Sequence, residues 1–533
     1  MSAGGWQGTG ALLRLALRRD RVRLPVWVSV FVLLVASSAS ATVKVYPDVA
    51  SRIAAATSIN STPALVALYG RIYDPRALGA VSMIKMVAFG AALLAVLTAN
   101  MVVRHTRTAE ESGYLELLGA TVVGRRAALA SALILSGAVS LTIGVLSGVS
   151  LFAAGLPVAG SFAFGLSWAG TGAAFAAVAA VTAQLSRAAR TATALATGTL
   201  GLAYVLRAFG DTGGPGLAWL SWLSPVGWGQ QVRAYAGDRW WVLLLPAAFA
   251  VVVGGLAFWL ADRRDMGAGL LADRPGPQQA SPRLASPLAL TVRLQRGVTA
   301  GWLVAFALLG VVMGNIAANV GSFLDSPAAK EFIQLLGGQR GLTDAFIATE
   351  LSIMSIVCSV YGIQVVLRAR AEETGGRADA ILATGTPRLR WYGGHLAVAV
   401  AGMVLLTTVG GLTGGAAHAA STGRSGDVWR VLGAALCYLP ASLVMVAVAA
   451  VLVGWLPRWA GSLSWAALVA VLMLGQVGAL LKLPTLALDL SPFSHVPRLP
   501  GASLQLTPLL WLAAVVVVGF AAGLAGMRRR DIS

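Results

Sequence analysis

Runs of about 20 apolar residues recur along this 533-residue chain, and they restrict its possible folds more than any other feature. A helix of that length crosses the ~30 Å hydrocarbon core of a bilayer. Because lipid offers the backbone no hydrogen-bond partner, only helices or closed barrels can span it. The alternating pattern of barrel strands is absent, and only 11% of the residues are charged. The sequence therefore predicts an all-α polytopic membrane protein.

Twelve transmembrane helices are predicted, six in each half of the chain. They fall near residues 24–43, 81–103, 127–151, 162–183, 192–210, 240–261, 298–318, 351–367, 394–416, 430–453, 460–481 and 508–527. Between the halves, a Pro/Ser/Gln-rich stretch is typical of a flexible linker. The predicted domains are a first six-helix half at 1–272, a cytoplasmic linker at 273–289 and a second six-helix half at 290–533.

The first apolar run follows five arginines and contains Ala39-Ser40-Ala41, so a cleaved signal peptide is one interpretation. The alternative is a retained helix behind an amphipathic segment that lies at the membrane interface. Residues 290–309 match residues 15–34 in character, and they lead into an internal span. This match favours the retained helix.

Three landmarks of the first half return in the second half in the same order. A Glu-Glu pair returns after 262 positions (110 to 372), Leu-Ser-Pro after 267 (223 to 490) and Arg-Arg-Asp after 266 (263 to 529). With an even number of spans in each half, the sequence predicts two parallel repeats related by an axis along the membrane normal.

The distribution of basic residues predicts the orientation. With both termini inside, 26 of the 40 Lys and Arg residues lie on the inner side and 14 on the outer side. Basic loops favour the cytoplasm, so both termini and both charged repeats are expected there, in a protein of the cell inner membrane. This topology accounts for the net charge of +19, and nucleic acid is not expected as a partner.

Four outer connections are long, and they lie near 44–80, 211–239, 319–350 and 482–507. The stretch 216–235 is rich in Trp, Gly and Pro. Tryptophan favours the membrane interface, and irregular backbone at membrane depth must be sheltered by protein. A re-entrant or interfacial helix and an ordinary interfacial loop both remain open for this stretch.

Two charged, helix-prone segments, 104–126 and 368–390, interrupt the apolar sequence. Thr108-Ala-Glu-Glu111 forms a capping box, which predicts a helix with Thr108 as its N-cap. Spacings of i, i+3, i+4 and i+7 give each segment a small apolar face. The faces consist of Tyr114, Leu117, Leu118 and Thr121 in the first segment and Ala378, Ile381, Leu382 and Gly385 in the second.

Such a helix suits docking into a groove of a partner protein. The alternative is a helix that lies on the inner leaflet with its arginines obeying the positive-inside rule. Glutamates are disfavoured near anionic lipid, and they occur in both segments, which favours docking.

The sequence lacks the motifs of an enzyme. A Walker A ATP site needs Gly directly before its Lys, whereas the four lysines follow Val43, Ile84, Ala329 and Leu481. Any ATP must therefore be hydrolysed by a different polypeptide. The four histidines have no metal-ligand spacing, and the two cysteines lie in apolar runs as packing residues. No catalytic residue, metal or cofactor is expected in this chain.

The loop Ala-Glu-Glu-x-Gly-x-x-Glu-Leu-Leu-x-Ala-Thr at 109–121 follows the second span and is repeated in the second half. In a twelve-span chain it resembles the permease subunits of actinobacterial ABC exporters, in the tetronasin-type polyketide-antibiotic and multidrug branch. The similarity covers the whole chain, and the two loops and the Leu-Ser-Pro landmarks are its most specific parts. The resemblance implies the architecture of a type V ABC exporter.

The resemblance also implies that each loop is a coupling helix seated on a separately encoded ATPase. Two ATPase copies would serve one permease and would carry the ATP and Mg. The implied docking residues are Arg107, Glu110, Glu111, Glu116, Leu117 and Leu118 in the first loop and Arg370, Glu372, Glu373, Asp379, Ile381 and Leu382 in the second. The second loop has one extra residue after Gly375 and an Asp where the first has a Glu, so the two contacts are expected to be unequal.

Polar residues inside spans are candidates for the transport pathway, because burying them in a membrane is costly without a role. They are Lys85, Asn100, Arg207, Asn315 and Gln364. Snorkelling from helix ends, or bonding across helices, is the alternative interpretation of each.

The predicted function is ATP-driven export of hydrophobic or amphipathic small molecules, such as antibiotics and drugs, by a permease embedded in membrane lipid. The alternative is a secondary transporter of the major facilitator type, which also has twelve spans in two parallel halves. The stretch 119–126 only superficially resembles the loop motif of that class, because the Asp is missing. A membrane scaffold or a biosynthetic enzyme is a third class, for which the sequence offers no site.

Overall fold

The computed structural model divides the chain into two compact units, Met1–Gly276 (unit 1) and Pro277–Ser533 (unit 2). Each unit is described by itself. The residues that the structure describes are 3–119, 122–265, 267–271, 278–279, 281–284, 286–319, 338–477 and 488–530. Of the predicted linker, 273–289, residues 273–277, 280 and 285 lie outside the described part of the chain.

Unit 1 is built from helices, because its apolar and small residues satisfy their backbone hydrogen bonds within each segment. Its helices are α1 (Thr9–Arg19), α2 (Arg23–Val45), α3 (Val49–Ser61), α4 (Pro63–Tyr69), α5 (Leu78–His105), α6 (Arg107–Glu111), α7 (Tyr114–Gly119), α8 (Ala127–Ala153), α9 (Val158–Leu185), α10 (Ala189–Thr212), α11 (Pro225–Gln231) and α12 (Leu244–Ala261).

Unit 2 is helical throughout its described residues as well. Its helices are α13 (Pro287–Asn319), α14 (Gly338–Thr374), α15 (Arg377–Leu382), α16 (Arg388–Thr422), α17 (Asp427–Cys437), α18 (Leu439–Trp455), α19 (Ala460–Val477) and α20 (Leu506–Arg529). The amphipathic segment expected before the first span differs between the units. It is the separate helix α1 in unit 1, whereas in unit 2 it continues without a break into the 33-residue α13.

Eleven helices of the described residues are long and apolar enough to cross a membrane. They coincide with eleven of the twelve expected spans, and most of them extend several residues beyond the expected ends. The expected span at 460–481 corresponds to α19, but residues 478–487 lie outside the described part of the chain. The count of twelve therefore stays a prediction, as do the parallel repeat and the orientation of the termini.

The core of unit 1 surrounds α9, which packs against α5, α8 and α12. Trp168 of α9 is fully buried, and its indole Nε1 donates a hydrogen bond to the Met86 carbonyl at 3.1 Å. The ring of Phe31 meets Trp168 edge-on at a centroid distance of 5.6 Å. This pairing satisfies the one polar atom of the indole, so the large side chain can fill the core.

Close packing in unit 2 depends on glycines where α13 crosses α16. A Cβ atom added to Gly314 would lie 2.1 Å from the carbonyl oxygen of Gly414, well inside contact distance. The Gly410/Gly414 pair of α16 therefore forms a small-residue helix contact of the kind found in membrane proteins.

Replacing Gly314 with alanine is expected to destabilise unit 2 by about 1–3 kcal/mol, because the helices must separate to admit the methyl group. Gly301 of the same helix has no atom within 4 Å of its virtual Cβ, so Gly301→Ala is the matched control and should keep or slightly raise the stability. Thermal unfolding of the purified variants in detergent measures both. Equal melting temperatures would contradict the tight crossing.

The last connection of unit 1, which lies between α10 and α12, contains a buried helix rather than an ordinary loop. In α11, the hydroxyl of Ser224 accepts a hydrogen bond from the Gly227 amide at 3.2 Å, and Pro225 starts the first turn. The helix is almost entirely buried and contacts α5 and α9. This fits the re-entrant interpretation of the 216–235 stretch. Most of the connection at 319–350, and part of that at 482–507, lie outside the described residues.

Candidate functional site

The first charged loop consists of two short helices, α6 and α7, separated by Gly113 in the left-handed conformation (φ 70°). The expectation that Thr108 is the N-cap is wrong. The helix begins at Arg107, and the preceding Thr106 donates its hydroxyl to the Val102 carbonyl at 2.7 Å instead of capping. Helix α5 runs through His105, so α6 follows it almost directly and needs no cap on Thr108.

Arg107 and Glu110 lie inside unit 1 rather than on its surface. Arg107 is 1% exposed, and its Nε donates to the Ala183 carbonyl of α9 at 2.9 Å. Its Nη1 donates to Glu110 Oε2 at 2.7 Å and to the Ala268 carbonyl at 3.0 Å. The side chain therefore fastens the loop to the end of α9.

The second partner of Glu110 comes from the other end of the unit. Arg264, three residues beyond α12, donates Nη2 to Glu110 Oε1 at 2.5 Å and Nη1 to Glu110 Oε2 at 3.0 Å. Its Nε donates to Gln184 Oε1 at 2.6 Å. A two-pronged Arg–carboxylate pair of this kind is both strong and geometrically specific. Glu110 thus joins the loop to the segment after the last helix of unit 1.

Unit 2 contains a similar arrangement at the end of α14. Arg370 Nη1 donates to Glu373 Oε2 at 2.9 Å, and Arg530, the residue after α20, donates to Glu373 Oε1. The Glu373 side chain is fully buried. A backbone link accompanies each carboxylate: Arg125 donates to the Arg264 carbonyl in unit 1, and Arg388 donates to the Arg530 carbonyl in unit 2, the latter at 2.8 Å. We refer to Arg107–Glu110–Arg264 and Arg370–Glu373–Arg530 as the loop clamps.

The clamps correct the alignment of the two loops by one residue. Glu110 corresponds to Glu373, not to Glu372, which places the loops 263 positions apart. The left-handed glycines agree, because Gly113 (φ 70°) corresponds to Gly376 (φ 66°). At this offset the two Ala-Thr pairs also align in sequence, and the second loop has no extra residue. The insertion expected after Gly375 is therefore wrong, because it followed from aligning Glu110 with Glu372 instead of Glu373.

Glu372 has a different environment from that of either clamp. Its carboxylate lies 3.4 Å from Arg368 Nε and 3.3 Å from Nε2 of the buried His395. In unit 1, the carboxylate nearest the start of the loop is Asp20, which lies 2.6 Å from Arg104 and 2.7 Å from His105. Asp20 directly follows α1, so it ties the amphipathic N-terminal helix to the loop.

Four of the other expected docking residues are exposed. Leu117 is 74% exposed, and Glu111, Glu116 and Asp379 are exposed as well. Glu111 Oε1 accepts a hydrogen bond from the Ala189 amide at 2.7 Å, where its charge favours the first turn of α10. Ile381 and Leu382 are half-buried, and the side chain of Leu118 lies outside the described part of the structure.

An open cavity of roughly 1310 Å³, solvent at its mouth included, lies between α1 and the first loop. Its apolar lining comes from Leu12 and Leu15 of α1 and from Leu115 and Leu117 of α7, with Arg18 and Arg19 also in its wall. The exposed part of the loop therefore borders an apolar recess with a basic edge.

The candidate pathway residues fall into two groups. Lys85, Asn100 and Gln364 are exposed on the surfaces of their units. Arg207 is fully buried and bonded to backbone carbonyls of α4, and Asn315 accepts a hydrogen bond from Ser421 at 3.1 Å. Within each unit, no hydrogen bond or ion pair is described between any two of these residues, and their pathway role stays a prediction.

Four charged or titratable residues of these networks escaped the sequence reasoning: Asp20, Arg264, His395 and Arg530. The Arg-Arg-Asp landmark offered a signal for two of them, because it recurs together with the glutamates and carries the opposite charge. No sequence signal singles out Asp20 or His395.

Comparison with known proteins adds the family to this geometry. The chain is 43% identical over 531 residues to the multidrug efflux system permease protein Rv1217c of Mycobacterium tuberculosis, an alignment that covers 99% of this chain and 96% of that protein. The chain belongs to this family of efflux permeases. The family described as "Multidrug efflux system permease Rv1217c, C-terminal domain" matches residues 284–528, which cover most of unit 2.

Membership in a permease family agrees with a multi-pass membrane protein that has many apolar helices, and with a transporter rather than an enzyme. It gives no support to the major facilitator alternative. As the permease of an efflux system, the relative implies partner components.

Proposed function

We propose that this chain is the membrane permease of an ATP-driven ABC exporter, which moves hydrophobic or amphipathic small molecules out of the cell. Two copies of a separate ATPase subunit, which carry the ATP and Mg, would dock on the loops at 104–126 and 368–390. The loops and both termini would lie in the cytoplasm, and the chain would form two parallel six-helix halves in the inner membrane.

The observation that carries this proposal is the loop clamp, present in both units. In unit 1 the clamp joins the short helix α6 to the end of α9 and to the segment after α12. In unit 2 it joins the end of α14, where the charged loop begins, to the residue after α20. A force applied at either loop would therefore reach a distant segment of the same unit. This is what a loop needs if an ATPase subunit is to drive a membrane unit.

The clamps divide the expected docking residues between two roles. Arg107, Glu110, Arg370 and Glu373 hold the loops from inside, so they would not meet the ATPase directly. Contact would instead fall to exposed residues, above all Glu116 and Leu117 in unit 1 and the corresponding Asp379 in unit 2. Acidic groups on both loops indicate a basic surface on the ATPase.

Changing the exposed residues should release the ATPase without unfolding the permease. In Glu116→Lys/Leu117→Asp, we expect co-purification of the ATPase subunit to fall at least roughly tenfold, because charge complementarity and apolar contact are both lost. Asp379→Lys tests the second loop alone. Arg76→Glu, which reverses an exposed charge in the connection before α5, is the control.

Co-expression of the permease with the ATPase subunit, followed by affinity purification and an ATPase assay, measures this effect. Full retention of the ATPase by both loop variants would remove the docking role. Transport by the purified chain in vesicles with a proton gradient, without ATP or an ATPase, would instead indicate a secondary transporter.

A further inference from the structure

A cavity of roughly 830 Å³, solvent at its mouth included, lies where two connections of unit 1 meet the end of α10. Arg71 and Tyr73 come from the connection between α4 and α5, and Arg233 and Arg239 come from the segment after α11. Three arginines from distant parts of the sequence therefore line one cavity, which includes no residue of the Arg107–Glu110–Arg264 clamp.

The acidic residue of this cavity is already neutralised. Asp211 Oδ1 accepts a hydrogen bond from the Ser221 hydroxyl at 2.7 Å, and Oδ2 lies 3.4 Å from the fully buried Arg207. Within the described residues, none of Arg71, Arg233 and Arg239 forms an ion pair with a carboxylate. The lining therefore holds three arginines and one aspartate, a net charge of +2, and the buried Arg207 behind it balances the aspartate.

Arg233 is held in place by the backbone around it. Its φ is 50°, and Tyr235 and Asp238 nearby also have positive φ, a conformation that costs about 1–3 kcal/mol for each residue other than glycine. The segment is closed by a hydrogen bond from the Arg239 amide to the Val232 carbonyl at 2.7 Å. Tyr235 anchors it, because its ring packs against Gly79 and Gly160.

The Arg233 side chain lies over the ring of Tyr73, with 4.3 Å between the guanidinium carbon and the ring centroid. Its Nε is buried and has no hydrogen-bond partner among the described residues. A phenol is neutral at physiological pH, and burial raises the pKa of Tyr73 further, so Tyr73 does not repel an anion. A buried donor atom without a partner, such as Arg233 Nε, is costly unless a ligand satisfies it.

A second cavity shares Arg71, Tyr73 and Arg233 with the first, and it is narrow, with room for only a few water molecules. Most of its remaining lining is apolar, with Met83, Ile84 and Val87 from α5 and Phe164 from α9. The shared arginines thus have a polar, arginine-lined space on one side and an apolar space on the other.

We propose that the larger cavity binds the head group of an anionic amphiphile, with its carboxylate or phosphate on Arg71, Arg233 and Arg239, and that the apolar chain separates the side chains of the second cavity and lies against α5 and α9. Arginine forks match both of these anions in geometry. A cationic amphiphile of the same length would be repelled by the three arginines. The site requires no ATPase subunit, so it can be tested separately from the proposed exporter function.

The test uses the full chain purified in a neutral detergent, with binding followed by tryptophan fluorescence, because Trp222 lines the first cavity. The probes are dodecanoate, dodecyl phosphate, dodecyltrimethylammonium and inorganic phosphate. We expect saturable binding of the two anionic amphiphiles, at least roughly tenfold weaker binding of the cation, and weak binding of inorganic phosphate. Equal affinity for anion and cation would overturn the proposal.

Three variants test the residues. Arg233→Gln and Arg239→Gln should each weaken dodecanoate binding at least fivefold, whereas Arg233→Lys should retain part of the affinity. Arg76→Gln, in the same connection as Arg71 but outside both cavities, is the matched control. Unfolding of Arg233→Gln would leave Arg239→Gln as the deciding variant, and unchanged affinity in Arg239→Gln would refute the site.

The source of the amphiphile is decided by a second comparison, in nanodiscs of phosphatidylcholine with and without phosphatidylglycerol. If phosphatidylglycerol prevents dodecanoate binding in the wild type, and mass spectrometry finds it retained by the wild type but not by Arg239→Gln, the natural ligand is a membrane lipid. If dodecanoate binds equally in both nanodiscs, the ligand is a soluble anionic amphiphile. Either result supports the site, and absence of dodecanoate binding in both nanodiscs refutes it.

Discussion

Glu110→Gln in unit 1 and Glu373→Gln in unit 2 should each reduce transport roughly tenfold while the ATPase subunit still binds. Each carboxylate accepts hydrogen bonds from two arginines, and the Glu373 side chain is fully buried. Removing its charge leaves two guanidinium groups without a counter-ion, at a cost on the order of 3 kcal/mol. The start of the charged loop would then be less firmly joined to the segment after the last helix of its unit.

The expected pattern separates the clamps from the exposed docking residues. In the clamp variants, ATPase co-purification should remain near the wild-type level, while stimulation of ATP hydrolysis by a transported compound should be lost. In Glu116→Lys/Leu117→Asp, both should fall together. Parallel assays of the ATPase pull-down, drug-stimulated hydrolysis and vesicle transport measure this difference.

The matched control is another ion pair at the same end of α12. Arg126 hydrogen-bonds to Asp262, which lowers the pKa of that carboxylate, but both side chains are about one-third exposed, at 38% and 34%. Because solvent screens such pairs, Asp262→Asn should change neither stability nor transport appreciably. If Asp262→Asn and Glu110→Gln behave alike, the effect of Glu110 reflects general surface charge and the clamp has no role in coupling.

Most of the helical architecture could be predicted from the sequence, because membrane spans depend on local composition. A run of apolar residues long enough to cross a bilayer must form a helix, whatever surrounds it. The predicted ends of the helices were less accurate. Helix α13 starts at Pro287, well before the predicted residue 298. Helix ends depend on packing and capping contacts with distant residues, and periodicity does not report these.

The charged loops show where sequence reasoning stopped. Charge and helical period identified Glu110 and Glu373, but both were expected on an exposed, partner-facing surface. Their burial depends on Arg264 and Arg530, which lie far along the chain and approach only after the intervening helices have packed. The same limit applies to the arginine-lined cavity, because its residues come from two separate connections of unit 1. In the count of basic residues that predicted the orientation, the arginines of this cavity belong to the expected outer side. There they only counted against the positive-inside rule, so the count could not indicate a site.

Arg207 was expected as a pathway residue, yet its contacts predict that its main contribution is to the stability of unit 1. The side chain is fully buried in α10. Its Nη2 donates to the Ala67 carbonyl at 2.7 Å and to the Leu68 carbonyl at 3.2 Å. The guanidinium carbon also lies 4.4 Å from the ring centroid of Tyr204. The two hydrogen bonds hold the C-terminal part of α4 against α10.

Arg207→Met should therefore destabilise unit 1 by about 3–5 kcal/mol, because Asp211 would remain buried without its cation and the α4 carbonyls would lose their donor. The double variant Arg207→Met/Asp211→Asn should recover part of this loss, since it removes the uncompensated charge. Thermal unfolding of the purified proteins measures the stability, and transport per folded molecule measures the function.

A pathway residue would give the opposite result. Arg207→Met would unfold at the wild-type temperature, while its transport per folded molecule or its range of transported compounds would change. Loss of stability with unchanged transport per folded molecule would assign Arg207 to the fold and leave Lys85, Asn100 and Gln364, which are exposed on their units, as the better candidates for the pathway.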